Sequence, residues 1–258
     1  MRVYCCQMDV AWEDKRANFL RARGMLRAAG IGPGSLVLLP EMFATGFSMN
    51  VATIAEPPGG ETETFLTALA RELKSTVVGG IVRHAFDGKG RNAALVAAPD
   101  GAVAAEYHKM HPFSYGEEGK HYGGGERPLI VQVEGLQVAP TICYDLRFPE
   151  LYRRLALAGA EVLVVIANWP IGRENHWLTL LQARAIENQC FVVGCNRVGR
   201  DSENTYGGRS FVVGPKGEIV ADGAGRERVV EAEIDVRQVH QWRNTFEALK
   251  DVRPELLG

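Results

Sequence analysis

Nothing in these 258 residues approaches the roughly 20 consecutive apolar positions of a membrane-spanning helix. The opening Met1-Arg2-Val3-Tyr4-Cys5-Cys6-Gln7-Met8 turns polar too soon for a signal peptide. A cytoplasmic protein is the expectation. Excess charge of one sign is missing too: 29 Lys and Arg against 31 Asp and Glu leave a net charge of −2, so no basic field exists to hold nucleic acid or an anionic membrane. That leaves a small molecule as the expected partner. Cysteine is scarce and odd in number, five in all, so in a reducing compartment no disulfide is expected, and Cys5, Cys6, Cys190 and Cys195 read as packing residues. C-x-x-C is absent. His108 and His111 flank Lys109 with no cysteine or carboxylate at ligand spacing, which argues against a metal site. There is no G-x-S-x-G elbow, so a Ser-His-Asp hydrolase of that type is excluded. Internal repeats and separating linkers are also lacking, and residues 1–258 read as a single domain.

What the chain does contain is ample core material, 46% hydrophobic against 23% charged residues. Apolar periodicity predicts strands over 2–9, 35–39, 75–82, 92–98, 102–107, 129–133, 136–142, 162–167, 191–195, 209–213, 218–221 and 228–234. Helical spacing predicts helices over 15–29, 62–74, from Pro149 to the stop at Gly159, over 173–188, and near the C-terminus. Tight turns at Pro99-Asp100-Gly101, Glu134-Gly135 and Gly214-Pro215-Lys216-Gly217 make three hairpins, which exclude an all-parallel sheet. Two mixed sheets packed face to face with helices outside fit this α/β order best. The stretch 110–127, rich in glycine, has no sustained period and reads as a long functional or mobile loop.

Three reactive side chains each follow a predicted core strand. Cys143 stands where the apolar run 138–142 gives way to charge, on a strand-to-helix corner whose backbone N–H groups face an incoming ligand. Glu41 ends the run Ser35 to Pro40, and Lys109 ends the first hairpin. Taken singly, each has a plain alternative: a small buried hydrophobe for the cysteine, a solvated loop carboxylate for Glu41. If the strand ends meet at one rim, a carboxylate in a partly dry cleft can take the thiol's proton, and an ammonium can hold the oxyanion of a tetrahedral intermediate. That set suits attack on an amide carbonyl.

The segments Leu39-Pro40-Glu41-Met42-Phe43, Tyr107-His108-Lys109 and Cys143-Tyr144-Asp145-Leu146-Arg147-Phe148-Pro149 resemble the Glu-Lys-Cys motifs of the nitrilase (carbon–nitrogen hydrolase) superfamily. The resemblance continues through Ala167-Asn168-Trp169-Pro170, His176-Trp177 and 183–189 to Cys195-Asn196-Arg197-Val198-Gly199, nearly the whole chain. It implies a four-layer αββα sandwich that forms homodimers or larger homo-oligomers. Within the superfamily the motifs most resemble bacterial omega-amidases, which cut the terminal amide of 2-oxoglutaramate and 2-oxosuccinamate. By that resemblance Cys143 is the nucleophile, Glu41 the general base and acid, and Lys109 with the backbone N–H of Tyr144 the oxyanion site. No cofactor is implied.

The family's second glutamate, which orients the lysine, falls on Glu117 or Glu118; the spacing to Tyr122 and Gly125 favours Glu118. A substrate carboxylate needs a fixed cation, and Arg173 is the candidate, with a solvated residue near a helix start as the alternative. Arg147 could also receive that carboxylate, though so close to the cysteine corner it reads first as a structural salt bridge, and Phe43 either lines the pocket or packs in the core. Arg184, Glu187 and Asn188 read as helix and interface packing. The tail 241–258 presents Trp242 and Phe246, which either reach a partner subunit or dock on their own chain. Another small amide, a carbamoyl compound or a nitrile is the alternative substrate, and a silent binding protein the alternative class.

Overall fold

The structure, a computed structural model, describes residues 1–253 and 255. The first sheet and its helices come from β1 (Arg2–Gln7), α1 (Lys15–Ala29), β2 (Leu36–Leu38), the single turn α2 (Val51–Ile54), α3 (Glu61–Leu73), β3 (Thr76–His84), β4 (Gly90–Ala97) and β5 (Val103–His108). The turn α4 (Glu118–His121) leads to the second: β6 (Val131–Val133), β7 (Leu136–Ile142), α5 (Pro149–Leu157), β8 (Val162–Ala167), α6 (Glu174–Asn188) and β9 (Phe191–Asn196). A small ribbon, β10 (Val198–Arg200) with β11 (Thr205–Gly207), precedes β12 (Phe211–Val213) and β13 (Ile219–Asp222). The chain then returns to the first sheet as β14 (Arg228–Glu233) and continues into α7 (Arg237–Thr245).

Each sheet has six strands, ordered β14-β1-β2-β3-β4-β5 and β6-β7-β8-β9-β12-β13. Both repeat one pattern: an antiparallel edge pair, three parallel strands, then two antiparallel steps. The parallel strands are apolar on both faces because both faces are covered. Between the sheets pack Cys5, Leu38, Val78 and Val96 from one side and Val138, Ile142, Val164 and Val193 from the other. Outside the first sheet, Ala22 and Leu26 of α1 and Phe65, Leu66 and Leu69 of α3 meet Cys6, Val37 and Val77. Outside the second, Leu151 and Leu155 of α5 and Trp177 and Leu181 of α6 meet Leu163, Val165 and Val192. The αββα sandwich expected from the chain is therefore present, each large apolar side chain in it contributing about 1.5–3 kcal/mol by burial. Cys5 and Cys6 face opposite sides of their strand, as adjacent strand residues must.

Helix ends follow local chemistry. Asp14 accepts the Ala17 N–H at 2.9 Å to open α1, and Gly30 at φ 66° closes it. Pro149 occupies the first turn of α5. α2, α4 and the β10–β11 ribbon have no counterpart in the predicted elements: two are single helical turns, and the ribbon strands Val198–Arg200 and Thr205–Gly207 lack the apolar run that marks equally short strands such as β2 and β12. α7 starts at Arg237, ahead of the tail boundary at 241, and docks on its own chain: Arg243 Nη2 donates to the Ala160 carbonyl at 2.7 Å, and Gln189 Nε2 to that of Phe246 at 2.7 Å. The remainder of the tail, 254 and 256–258, lies outside the described residues. Among the described residues no helix is long and apolar enough to cross a membrane.

Candidate active site

β2, β5 and β7 deliver Glu41, Lys109 and Cys143 to one end of the sandwich, where Lys109 and Cys143 line a cavity of about 440 Å³ and Glu41, bonded to Lys109, is fully buried beside them. Past β2 the backbone turns sharply, with Met42 at φ 46°. The turn nestles against β3, where a Cβ on Gly80 would stand 2.1 Å from the Met42 nitrogen and 2.7 Å from the Glu41 Cα. Only glycine permits this approach. The second corner is strained as well: Cys143 itself adopts φ 46°, unusual for a residue with a side chain, and opens the 3₁₀ turn Cys143–Arg147. Arg184 holds that turn from behind, its Nε and Nη2 donating to the Leu146 carbonyl at 3.1 and 2.8 Å, and pairs with Glu187.

Lys109 Nζ sits between two carboxylates, 2.9 Å from Glu41 Oε1 and 3.0 and 2.8 Å from the two oxygens of Glu118. All three side chains are at most 1% exposed. Two carboxylates and one ammonium leave a formal negative charge in a dry place, which neutral donors must spread. Asn92 Nδ2 donates to Glu41 Oε1 at 2.7 Å and to Glu118 Oε1 at 2.9 Å. The Asn168 N–H reaches Glu41 Oε2 at 2.8 Å, and the Phe113 N–H reaches Glu118 Oε2. Burial opposes the charge on Lys109, but Glu118 and then Glu41 outweigh it, so its pKa is raised and the ammonium stays protonated. For Cys143, burial first and the Glu41 carboxylate second push the thiol's pKa well up, Lys109 only partly opposing them. The resting group is therefore a thiol beside a carboxylate. A transfer of that proton to Glu41 would leave the net charge of the site unchanged, the least costly way in which a nucleophile could be made there.

Of the paired glutamates, Glu118 is the buried one; Glu117 is exposed and pairs with Lys120. Tyr144, Arg173 and Arg147 all line the cavity. The Arg173 guanidinium lies 5.5 Å from the Phe113 ring centroid with no carboxylate in salt-bridge reach among the described residues. Arg147 does not form the expected structural salt bridge: it lies over Trp169 at 4.9 Å, with Nη2 3.1 Å from His176 Nδ1, because the turn points it into the cavity. Phe43 does not line the cavity. Beyond the left-handed Met42 its ring swings to the outer face of the sheet, fully buried 6.0 and 5.9 Å from Phe19 and Phe65. Phe47 takes the place at the cavity, 5.4 Å from Lys109 Nζ. Asn92 and Gly80 escaped the sequence reading, although a lone amide and a glycine pair inside apolar strands are signals of inward polarity and close backbone approach. Among the described residues no group of three His, Cys, Asp or Glu could hold a metal ion.

Residues 2–244 match the family model of carbon-nitrogen hydrolases. The 2-oxoglutaramate amidase of Bacillus subtilis is 32% identical over 98% of both chains. The omega-amidase YafV of Yersinia enterocolitica is 36% identical, covering 100% of this chain and 98% of its own. Among solved structures, a CN-hydrolase superfamily protein from Xanthomonas campestris with an arsenic adduct in its active site superposes with a TM-score of 0.91 at 34% identity, covering 98% of this chain and 97% of that one.

Proposed function

Because the chain belongs to the carbon–nitrogen hydrolase family, we propose that it is an omega-amidase, hydrolysing the terminal amide of 2-oxoglutaramate or 2-oxosuccinamate to a 2-oxo dicarboxylate and ammonia. Support comes from the named relatives and from one feature above others: a thiol and an ammonium line one cavity, and two buried carboxylates flank that ammonium. Cys143 attacks the amide carbon while Glu41 takes its proton. The oxygen that gains charge rests on Lys109 Nζ and the Tyr144 N–H. Collapse of the intermediate expels ammonia, which leaves with the proton from Glu41, and a thioester remains on Cys143. Glu41 then deprotonates water, which attacks the thioester; the carboxylate product departs and the thiol regains its proton. Glu118 keeps Lys109 aimed, and Arg173 receives the distal substrate carboxylate in two-point fashion.

The same reading makes residues 1–258 one catalytic domain, cytoplasmic and homodimeric, needing no cofactor. Five free cysteines accord with a reducing compartment, and Phe246, 57% exposed beside Trp242, is an apolar surface that a second copy would cover. The test is ammonia release from 2-oxoglutaramate by the purified protein. Cys143→Ala is expected to abolish release with an unchanged circular dichroism spectrum; undiminished turnover in that variant would sink the mechanism.

A further inference from the structure

Asp145, two residues past Cys143 and fully buried, takes no part in the chemistry just described. Its carboxylate nonetheless receives hydrogen bonds from two separate segments. Oδ2 accepts the Tyr107 hydroxyl at 2.8 Å and the Ile142 N–H at 3.0 Å. Oδ1 accepts the His111 backbone N–H at 3.0 Å and lies 2.8 Å from His111 Nδ1. A carboxylate can only accept, so that ring nitrogen carries the proton. The His111 ring is further held by stacking on Phe148, centroids 3.7 Å apart and planes 7° from parallel.

The positions of these partners matter. Tyr107 and His111 stand two residues before and two after Lys109, on the exit of β5 in the first sheet. Ile142 directly precedes Cys143 on the exit of β7 in the second. One side chain thus ties the ammonium-bearing segment to the thiol-bearing segment across the junction of the two sheets. Most of that junction is apolar core, and apolar contact is non-directional: it holds sheets together without setting their offset to a fraction of an ångström. The bonds from Asn168 to Glu41 also cross it, but they fix the carboxylate and reach neither the Lys109 segment nor the Cys143 segment. Charge-assisted hydrogen bonds do set it. Burial and the Asp145 charge also raise the Tyr107 pKa well above its ordinary value, which keeps its hydroxyl a donor.

We propose that Asp145 is a positioning residue that fixes the separation of Cys143 from Lys109 by clasping Tyr107 and His111. The inference rests on the roles proposed above for Cys143 and Lys109. In Asp145→Asn one oxygen becomes an NH2 group that must face a donor, so the clasp loosens while size is kept. Misplacement on the order of 1 Å can lower a rate by about 100-fold. The expected result for Asp145→Asn is accordingly a fall in kcat of about 100-fold with KM within about threefold of the parent enzyme. Tyr107→Phe and His111→Phe should each lower kcat by about tenfold, the latter retaining the stack on Phe148, and their double variant should fall short of the product of the two effects, as members of one unit do.

The rate at which iodoacetamide alkylates Cys143, located by peptide mapping, serves as a second readout that needs no substrate assignment; it should fall at least tenfold in Asp145→Asn as the thiol loses its alignment with Glu41. A folded Asp145→Asn with kcat and alkylation rate both within threefold of the parent would overturn the proposal. So would a loss of kcat equal to the loss of folded fraction at the assay temperature. Should Asp145→Asn fail to fold, the two Phe variants decide alone: each leaves Asp145 with other donors, and unchanged kcat and alkylation in both would equally end the idea. If the parent enzyme itself released no ammonia from oxo-amides, the assigned substrate would fail while the alkylation comparison still judged Asp145.

Discussion

At the floor of the cavity Lys109, and directly behind it Glu41 and Glu118, are exposed by 2% or less and have their partners within the protein. At its mouth Arg147 and Arg173 are half-buried with no carboxylate in salt-bridge reach among the described residues, and Tyr115 stands 88% exposed. The difference is one of dielectric. A charge in a dry site interacts several times more strongly than in water and cannot be left alone, so the floor is closed and its geometry is over-determined. Charges at the mouth are screened and solvated, so they can exchange water for the carboxylate of an arriving molecule. Chemistry belongs where partners are permanent, selection where they can be exchanged.

Four substitutions test that division, three in falling order of effect and one as a control. Lys109→Met removes the one cation from between two buried carboxylates. It should destabilise the fold by about 3–5 kcal/mol in a urea titration and lower kcat by at least about 1,000-fold through the lost oxyanion partner; a loss of activity without loss of stability would mean that the floor is less dry than its burial indicates. The adjacent glutamates provide an internal control. Glu118→Gln should lower kcat by about 100-fold, whereas Glu117→Gln, exposed at the cavity's edge and paired with Lys120, should stay within about twofold. Equal effects in steady-state assays would erase the distinction between floor and surface. The smallest effect of the three is expected at the mouth: Arg173→Ala should raise KM for carboxylated amides about tenfold to 100-fold with kcat little changed, and leave neutral short amides unaffected. A matching drop for neutral amides would move Arg173 out of the selecting role.

Much of this was legible before any coordinates. The run Leu36 to Leu39 ahead of Pro40-Glu41, and the run Val138 to Ile142 ahead of Cys143, mark core strands ending in reactive groups, because strands covered on both faces read as continuous apolar stretches. The turn residues mark the hairpins, and once the family resemblance implies a second glutamate, the spacing to Tyr122 and Gly125 favours Glu118 over Glu117. Other features were hidden for physical reasons. Phe43 sits beside Glu41 in sequence yet faces away from it, since a single left-handed residue, Met42, reverses the side on which the next ring emerges. Arg147 points into the cavity, and that direction is set by the 3₁₀ turn after Cys143, for which no periodic signal exists. Asn92 is an ordinary strand polar residue until Glu41 and Glu118, 51 and 26 positions away, are brought to the same amide.

The amino-acid order by itself determined the layers and the identity of the reactive groups: apolar periodicity decides which faces must leave water, and a thiol, a carboxylate and an ammonium at strand exits are chemical facts before they are geometric ones. Only the tertiary structure decided which partners those groups keep. Hydrogen bonds and buried ion pairs act over about 3 Å, a distance that sequence separation does not encode, and it is the meeting of two sheets, from remote parts of the chain, that brings Glu41, Asn92, Lys109, Glu118 and Cys143 to one floor.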